Sequence, residues 1–149
     1  MTQKAFIKQL DKKRYSYEIE GDRIVVTCKG GVDLDDLTSL PLGVEFKNKG
    51  YVYLRSLTSL PPGFQFRNKG HVGLESLTSI SPGVEFNNGG SVDLSALTSL
   101  PPGVEFKNGE DVYLGYLIGG WFSNWDGNIK GIDSKRLLNV MIKQGVFER

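Results

Sequence analysis

The chain is poor in the residue types from which many catalytic and metal sites are built. It contains one cysteine, Cys28, and one histidine, His71. A single cysteine excludes an intrachain disulfide and a multi-thiolate metal site within one chain. A single histidine also gives no support for a Ser-His-Asp or Cys-His catalytic set. We therefore expect no enzymatic activity, no cofactor and no metal site.

Long apolar runs are missing as well. No stretch approaches the ~18 consecutive apolar residues that indicate a membrane-spanning helix. The first ten residues are interrupted by lysines and lack the apolar core of a signal peptide. We expect a cytosolic protein that does not associate with membranes.

Charge is nearly balanced, but it is unevenly distributed. Residues 1–30 carry seven Lys or Arg and four Asp or Glu, residues 31–110 carry six and nine, and residues 111–149 carry five and four. The ends are therefore mildly basic and the middle is mildly acidic. This distribution lacks the strong basic excess typical of a general nucleic-acid binder.

Repetition is what the sequence has in abundance. Between residues 31 and 116 a unit of 20 residues occurs four times in full, with a half-copy at each end. The spacing has no insertion, and it predicts a repeat architecture. The main repeated columns are Val32, Val52, Val72, Val92 and Val112; Leu34, Leu54, Leu74, Leu94 and Leu114; Phe46, Phe66, Phe86 and Phe106; and Asn48, Asn68, Asn88 and Asn108.

The N-terminal half-copy explains the single cysteine. Residues 24–30 overlay residues 44–50, which places Val26 in the phenylalanine column and Cys28 in the asparagine column. Cys28 could act as a nucleophile, but this position favours a structural role.

Each unit contains two short stretches with a period of two, Val-x-Leu and Val-x-Phe. Such alternation places Val, Leu and Phe on one face of a strand. Pro-x-Gly and Asn-x-Gly then form the corners, and the Asn side chains satisfy backbone groups at the turns. We predict a mainly β protein, a short β-solenoid of 20-residue coils whose apolar columns stack inside.

The Leu-x-x-Leu spacing, the 20-residue length and an Asn position that accepts Cys resemble leucine-rich repeats. The Leu-Thr-Ser-Leu-Pro phrase is similar to short repeats of bacterial effector proteins. The Val-x-Phe stretch departs from that pattern and favours a flatter, two-faced β-solenoid over a horseshoe. The near-identical repeats also resemble small phage and prophage proteins, some of which act as anti-CRISPRs or other inhibitors of host defence.

Both ends of the solenoid need caps, because an open end exposes its core and its strand edge. We predict one domain over residues 1–149, with an N-terminal cap over 1–30, repeats over 31–116 and a C-terminal cap over 117–149. The N-terminal cap is a helix that begins after Thr2, reaches about Lys13 and buries Ala5, Phe6 and Leu10, followed by a hairpin about Gly21-Asp22. The C-terminal cap is a helix from Asp133 or Ser134 to about Gln144, with Trp121, Phe122 and Trp125 packed on the last coil.

Some outward positions vary while the frame repeats. These positions favour a recognition surface, although solvent-facing positions are also free to vary. Tyr and Arg are common anchors of binding interfaces. The candidate partner-binding residues are Tyr51, Tyr53, Arg55, His71, Tyr113 and Tyr116.

A glutamate column runs through Glu45, Glu85 and Glu105. Two such carboxylates could mimic a catalytic acid pair. A solvated face is the stronger interpretation, because Lys47, Arg67 and Lys107 can pair with them across strands.

A basic group in the first two coils offers an alternative function. Lys47, Lys49, Arg67 and Lys69, together with Arg55 and the lysines of the N-terminal cap, could contact RNA or DNA phosphates while the tyrosines stack on bases.

The leading hypothesis is a non-enzymatic solenoid, monomeric or weakly oligomeric, that binds another protein. If the phage resemblance holds, the partner is a host defence nucleoprotein complex in the host cytosol, and the mechanism is steric blockade. The alternatives are a nucleic-acid-binding protein and a phage structural component.

Overall fold

Two parallel sheets wind together into the predicted β-solenoid. The computed structural model describes residues 1–98 and 104–114. In chain order the elements are α1 (Gln3–Lys12), β1 (Tyr17–Glu20), β2 (Arg23–Val26), β3 (Val32–Asp33), β4 (Val44–Phe46), β5 (Val52–Tyr53), β6 (Gln65–Phe66), β7 (Val72–Gly73), β8 (Glu85–Phe86), β9 (Val92–Leu94), β10 (Glu105–Phe106) and β11 (Val112–Leu114).

Successive strands alternate between the sheets. The first sheet has the order β1-β2-β4-β6-β8-β10, and the second has the order β11-β9-β7-β5-β3. Apart from the antiparallel β1–β2 hairpin, the pairs are parallel, and each residue lies beside the residue 20 positions away. The 20-residue period of the sequence is therefore the register of the structure.

The apolar columns form one continuous core between the sheets. The four phenylalanines are fully buried, and their ring centroids lie 5.9, 5.5 and 5.2 Å apart with planes within 6° of parallel. The Val-x-Leu columns are buried from Val32 to Leu114. One coil cannot bury these side chains alone, so neighbouring coils stabilise one another.

The two predicted corner types are present. At the Pro-x-Gly corner, Gly43, Gly63 and Gly83 have φ of +82°, +70° and +81°, a region that favours glycine. At the other corner the asparagine side chains are buried and donate to backbone carbonyls. In Asn88, the Nδ2 atom lies 3.1 Å from the Gly70 carbonyl of the preceding coil and 3.2 Å from those of Gly90 and Ser91. The asparagine column thus links each coil to the one before it.

Asn88→Ala is expected to lower the free energy of unfolding by about 1–3 kcal/mol, because buried carbonyls lose their donor. Asn87 provides a matched control, since it is the adjacent residue of the same type with an exposed side chain. Asn87→Ala is expected to change stability by less than about 0.5 kcal/mol. Urea unfolding of both variants measures the difference, and equal losses would contradict a special role for the column.

The N-terminal cap closes one end of the core. The Thr2 hydroxyl accepts a hydrogen bond from the Ala5 amide, 3.1 Å away, and the helix ends at Lys12. Phe6 and Leu10 are fully buried, as predicted, but Ala5 is only half-buried. Gln3 holds the cap in place through donation to the Asp22 and Leu42 carbonyls at 2.7 and 2.8 Å.

The half-copy overlay is also confirmed. Val26 pairs with Phe46, and two residues later Cys28 occupies the head of the asparagine column, with Sγ 3.8 Å from the Gly30 carbonyl. Burial raises the pKa of the Cys28 thiol, which disfavours the reactive thiolate. The predicted C-terminal cap, including Trp121, Phe122, Trp125 and the helix from Asp133 or Ser134, lies outside the described residues.

Candidate functional site

The variable positions of the Val-x-Leu stretch lie side by side on the outer surface of the second sheet. The parallel register joins Asp33 to Tyr53, Tyr53 to Gly73, Gly73 to Asp93, and Asp93 to Tyr113. We call this row the variable column. Because neighbouring strands are about 4.8 Å apart, the column presents an aspartate, a tyrosine, a glycine, an aspartate and a tyrosine in sequence along the solenoid axis.

Two tyrosines, one in β5 and one directly before it, form a stacked pair. The rings of Tyr51 and Tyr53 have centroids 4.1 Å apart and planes 20° from parallel. Tyr51 also covers the preceding coil at Gly31, where an added Cβ would lie 2.3 Å from the ring. Glycine at position 31 thus makes room for this ring, which fixes its orientation.

Arg55 extends the stack. Its Cζ lies 4.7 Å from the centre of the Tyr53 ring, within the range of a cation–π interaction. Asp35, one coil earlier, holds the guanidinium with an Nη2–Oδ2 distance of 2.5 Å and an Nε–Oδ2 distance of 2.7 Å, and it accepts from the Arg55 amide at 2.9 Å. We call Tyr51, Tyr53 and Arg55 the tyrosine face; its side chains are ordered by contacts within the chain.

The contacts with Arg55 also lower the pKa of the Asp35 carboxyl. Partial burial acts to raise the pKa of its carboxyl, but the side-chain and backbone hydrogen bonds from Arg55 outweigh that effect and hold the pKa below its ordinary value. A depressed pKa means that the ion pair is complete at neutral pH. The pair is lost only as the pH falls through that depressed value.

A depression of about 400 Å³ opens beside the tyrosine face, above Gly73. Its lining includes Tyr53, Arg55, His71 and Tyr113, together with Val72, Glu75, Ser91 and Asp93. The structure therefore brings together four of the six predicted partner-binding residues, with Tyr51 stacked next to them. Tyr116 lies outside the described residues.

Sequence reasoning did not select two acidic residues of this region, Asp35 and Glu75, as site residues. Asp35, Arg55 and Glu75 occupy the same repeat position in successive coils, so their alternating charges were readable as a column. Asp35 binds Arg55 closely, and Glu75 Oε2 lies 3.9 Å from Arg55 Nε. Asp93 was visible as a member of the variable column, and the register places it two strands from Tyr53 with Gly73 between them.

His71 is exposed, lines the depression and forms a hydrogen bond with the next coil. Its Nδ1 accepts a hydrogen bond from the Ser91 amide at 2.8 Å, which requires the proton to reside on Nε2 in the neutral ring. Glu110 Oε2 is 3.9 Å from the same Nδ1. Because Nδ1 is an acceptor, we interpret this contact as a neutral one and assign no ion pair to it.

The basic residues lie on a different surface. Lys47, Lys49, Arg67 and Lys69 are exposed at the end of the Val-x-Phe stretch and in the turn that follows it, and Lys29 heads the same column as Lys49. We call these five residues the basic stripe. Grouping Arg55 with them was wrong, because Arg55 follows β5 in the second sheet and is paired with Asp35.

The glutamate column needs one correction. The predicted cross-strand pairs exist, since Lys107 Nζ lies 3.4 Å from Glu85 and 3.1 Å from Glu105. The solvated-face interpretation is wrong for Glu45, which is only 6% exposed. Arg23 from the hairpin covers this carboxylate, and Lys47 and Arg67 lie 3.6 and 3.5 Å from it.

Within residues 1–98 and 104–114, no group of three or more His, Cys, Asp or Glu could hold a metal ion. No helix in the same ranges has both the length and the apolar character needed to cross a membrane.

The described residues define a class, a two-sheet β-solenoid of about four in-register turns with one N-terminal helix. Comparison with known proteins found no matching family model, no matching curated protein and no matching solved structure. The likeness to leucine-rich repeats and to phage proteins therefore remains a resemblance of sequence patterns.

Proposed function

We propose that the protein is a non-enzymatic binding module that recognises another protein through the tyrosine face and the adjacent depression. The observation that carries this proposal is the ordered stack of Tyr51, Tyr53 and Arg55. Aromatic residues and arginine dominate the energetics of protein interfaces. Side chains that are already ordered lose less entropy on binding, so more of their contact energy appears as affinity.

The charge of this face favours a protein over a nucleic acid as its partner. Arg55 is neutralised by Asp35, and Glu75 and Asp93 add further carboxylates to the depression. Phosphate groups would be repelled by such a surface, because nucleic-acid affinity depends on uncompensated cations. A protein surface with mixed polar and cationic groups is complementary to it.

The more specific version of the proposal concerns the identity of the partner. The sequence resemblance to small phage and prophage proteins favours a bacterial defence complex, which the solenoid would inhibit by steric blockade in the host cytosol. A phage structural component is the alternative within the same resemblance. Both versions use the same face and require no catalytic group in this chain.

Nucleic-acid binding is a second candidate, supported by the basic stripe. Lys29, Lys49 and Lys69 stand in one column at the turn, about 4.8 Å apart along the axis, and Lys47 and Arg67 flank them. Glu45 compensates part of this charge through Lys47 and Arg67. Lys47 and Arg67 follow strands of the first sheet, whereas the depression lies on the second sheet, so one chain could use both surfaces.

Photo-crosslinking separates these candidates. p-Benzoylphenylalanine would replace Tyr51 on the tyrosine face, Lys49 on the basic stripe, or Leu42, which is 70% exposed at a corner beside the first sheet and serves as the control. In bacterial lysate we expect a discrete protein adduct from position 51 that survives nuclease treatment. Adding Arg55→Ala is expected to reduce the yield of that adduct at least about tenfold, because truncating an interface anchor costs about 2 kcal/mol or more.

Two results would contradict the proposal. One is an adduct yield at position 51 no higher than that at the Leu42 control. The other is crosslinking confined to position 49 and abolished by nuclease, which would favour the nucleic-acid candidate.

A further inference from the structure

The variable column has a gap in its middle. Gly73 is buried at the floor of the depression, and the side chains in register on either side of it belong to Tyr53 and Asp93. These two strands lie about 9.6 Å apart, twice the spacing of adjacent strands. Residue 73 contributes no side chain here, and the Glu75 carboxylate and the Tyr53 ring lean over it, with Oε1 and Cδ1 2.7 and 3.2 Å from where its Cβ would be.

The walls of this gap are aromatic and acidic. Tyr53 stands on one side, Asp93 stands on the other, and Glu75 crosses one end with its Oε1 2.7 Å from where a Cβ of residue 73 would be. Tyr113, next in the column, extends the aromatic lining. The chemistry of the walls thus combines tyrosine rings with two carboxylates.

Neither carboxylate has a dedicated cation within the described part of the chain. Arg55 is the one Lys or Arg that the described residues bring to the lining, and it is bound by Asp35 at 2.5 Å, while Glu75 is 3.9 Å away. Asp93 accepts hydrogen bonds from the amide and hydroxyl of Ser95 at 3.0 and 2.6 Å. Burial, and then the Asp93 carboxylate, raise the pKa of Glu75 despite the opposing effect of Arg55. A positive charge placed in the gap would relieve this repulsion.

We propose that the gap above Gly73 is a receptor for a cationic side chain, a lysine ammonium or an arginine guanidinium, presented by the partner protein. The proposal rests on the function proposed above and deepens it. The incoming side chain completes the variable column: its stem lies over Gly73 and Val72, and its head meets Tyr53, Glu75 and Asp93. Cation–π attraction and charge-assisted hydrogen bonds both favour this occupant.

Anionic and neutral occupants fit less well. An acidic side chain would face Glu75 and Asp93 at short range. A neutral apolar side chain would fill the space but leave both carboxylates without a counter-charge, at a cost in desolvation. The partner is therefore expected to present a basic residue at the centre of its interface, opposite the tyrosine face.

The test uses amino-acid probes and the full chain. Nα-Acetyl-arginine amide, Nα-acetyl-lysine amide and the neutral isostere Nα-acetyl-citrulline amide would be titrated while the backbone amide signals are followed by NMR. At about 0.3 kcal/mol per heavy atom, a probe of this size is expected to bind with a Kd of order 1 mM. We expect saturable shifts at Val72, Gly73 and Glu75 with one or both cationic probes and at least tenfold weaker binding of citrulline amide.

Substitutions locate the site. Asp93→Asn together with Glu75→Gln is expected to weaken binding of the cationic probe about tenfold or more. Gly73→Val, a strand-compatible change that fills the gap, is expected to abolish it. Glu85→Gln removes one carboxylate from the first sheet and is expected to have no effect. The amide spectrum of each variant reports whether the fold is retained.

Three outcomes would contradict the proposal of a receptor for a cationic side chain. These are equal binding of arginine and citrulline amides, tighter binding of Nα-acetyl-glutamate amide, or unchanged affinity in the Asp93→Asn/Glu75→Gln variant. The two proposals can fail separately. Probe binding at Gly73 without crosslinking at position 51 would support the receptor and contradict binding through the tyrosine face. Crosslinking at position 51 that needs Arg55, without probe binding, would support the tyrosine face and contradict the receptor.

Discussion

Phe66→Ala is expected to lower the free energy of unfolding by about 3–5 kcal/mol. Phe66 is fully buried, and its ring is stacked between Phe46 and Phe86 at centroid distances of 5.9 and 5.5 Å. It also contacts Phe64 of its own coil at 4.9 Å. Truncation would remove a ring from the middle of the stack, and the neighbouring backbones, fixed by the parallel ladder, could not close the cavity.

Urea unfolding followed by circular dichroism measures this loss. Phe66→Leu is the matched control, because it keeps most of the apolar volume and is expected to cost clearly less than Phe66→Ala. A loss below about 1 kcal/mol for Phe66→Ala would mean that the stack does not act as a shared core.

Gly70→Ala is expected to destabilise the protein by about 3 kcal/mol or more, at the upper end of the cost of overpacking. A Cβ at residue 70 would lie 2.5 Å from the Gly50 carbonyl carbon and 2.6 Å from the Tyr51 nitrogen. These are backbone atoms of the preceding coil, so a rotamer change cannot relieve the clash. The coils would have to separate locally, which breaks the hydrogen bond from the Gly70 amide to the Gly50 carbonyl.

Gly30→Ala provides the control for that prediction. Gly30 occupies the same repeat position, but no heavy atom outside residues 29–31 lies within 4 Å of where its Cβ would be. Its substitution is expected to change stability by less than about 1 kcal/mol. Thermal unfolding of the two variants measures the contrast, and similar shifts in both would show that close stacking of the coils is not the reason for glycine in this column.

Most of the fold could be predicted because one physical constraint repeats. Val, Leu and Phe alternate with polar residues at a fixed 20-residue interval, and a one-residue slip would expose every apolar side chain. The register from Val32 to Val112 and the overlay of Val26 on Phe46 follow from that constraint.

For the candidate site, the sequence predicts which residues share an outer surface but not which of their side chains are in contact. Column membership identified Tyr53, Arg55, His71 and Tyr113 as outward neighbours, and the structure places them around one depression. Which side chains touch depends on rotamers that the repeat does not constrain. The pairing of Arg55 with Asp35 was missed for that reason.

Glu45 illustrates a second limit. Its column predicts a solvated residue, and Glu85 and Glu105 are indeed partly exposed. The difference comes from Arg23, which belongs to the N-terminal hairpin and has no equivalent in the later coils. A contact that the hairpin makes with one coil alone cannot be predicted from the repeat pattern.

The unbroken register has a consequence for how this protein can vary. Each coil advances the chain by about 4.8 Å along the axis and contacts mainly its two neighbours. Because the units are nearly identical, unequal recombination in the gene can add or remove one whole unit and leave the Val, Leu, Phe and Asn columns continuous. Such an event would change the distance between Tyr53 and Tyr113 along the axis by the height of one coil. The number of coils would therefore determine the distance between contact residues along the axis. That number can change without any change in which residues make the contacts.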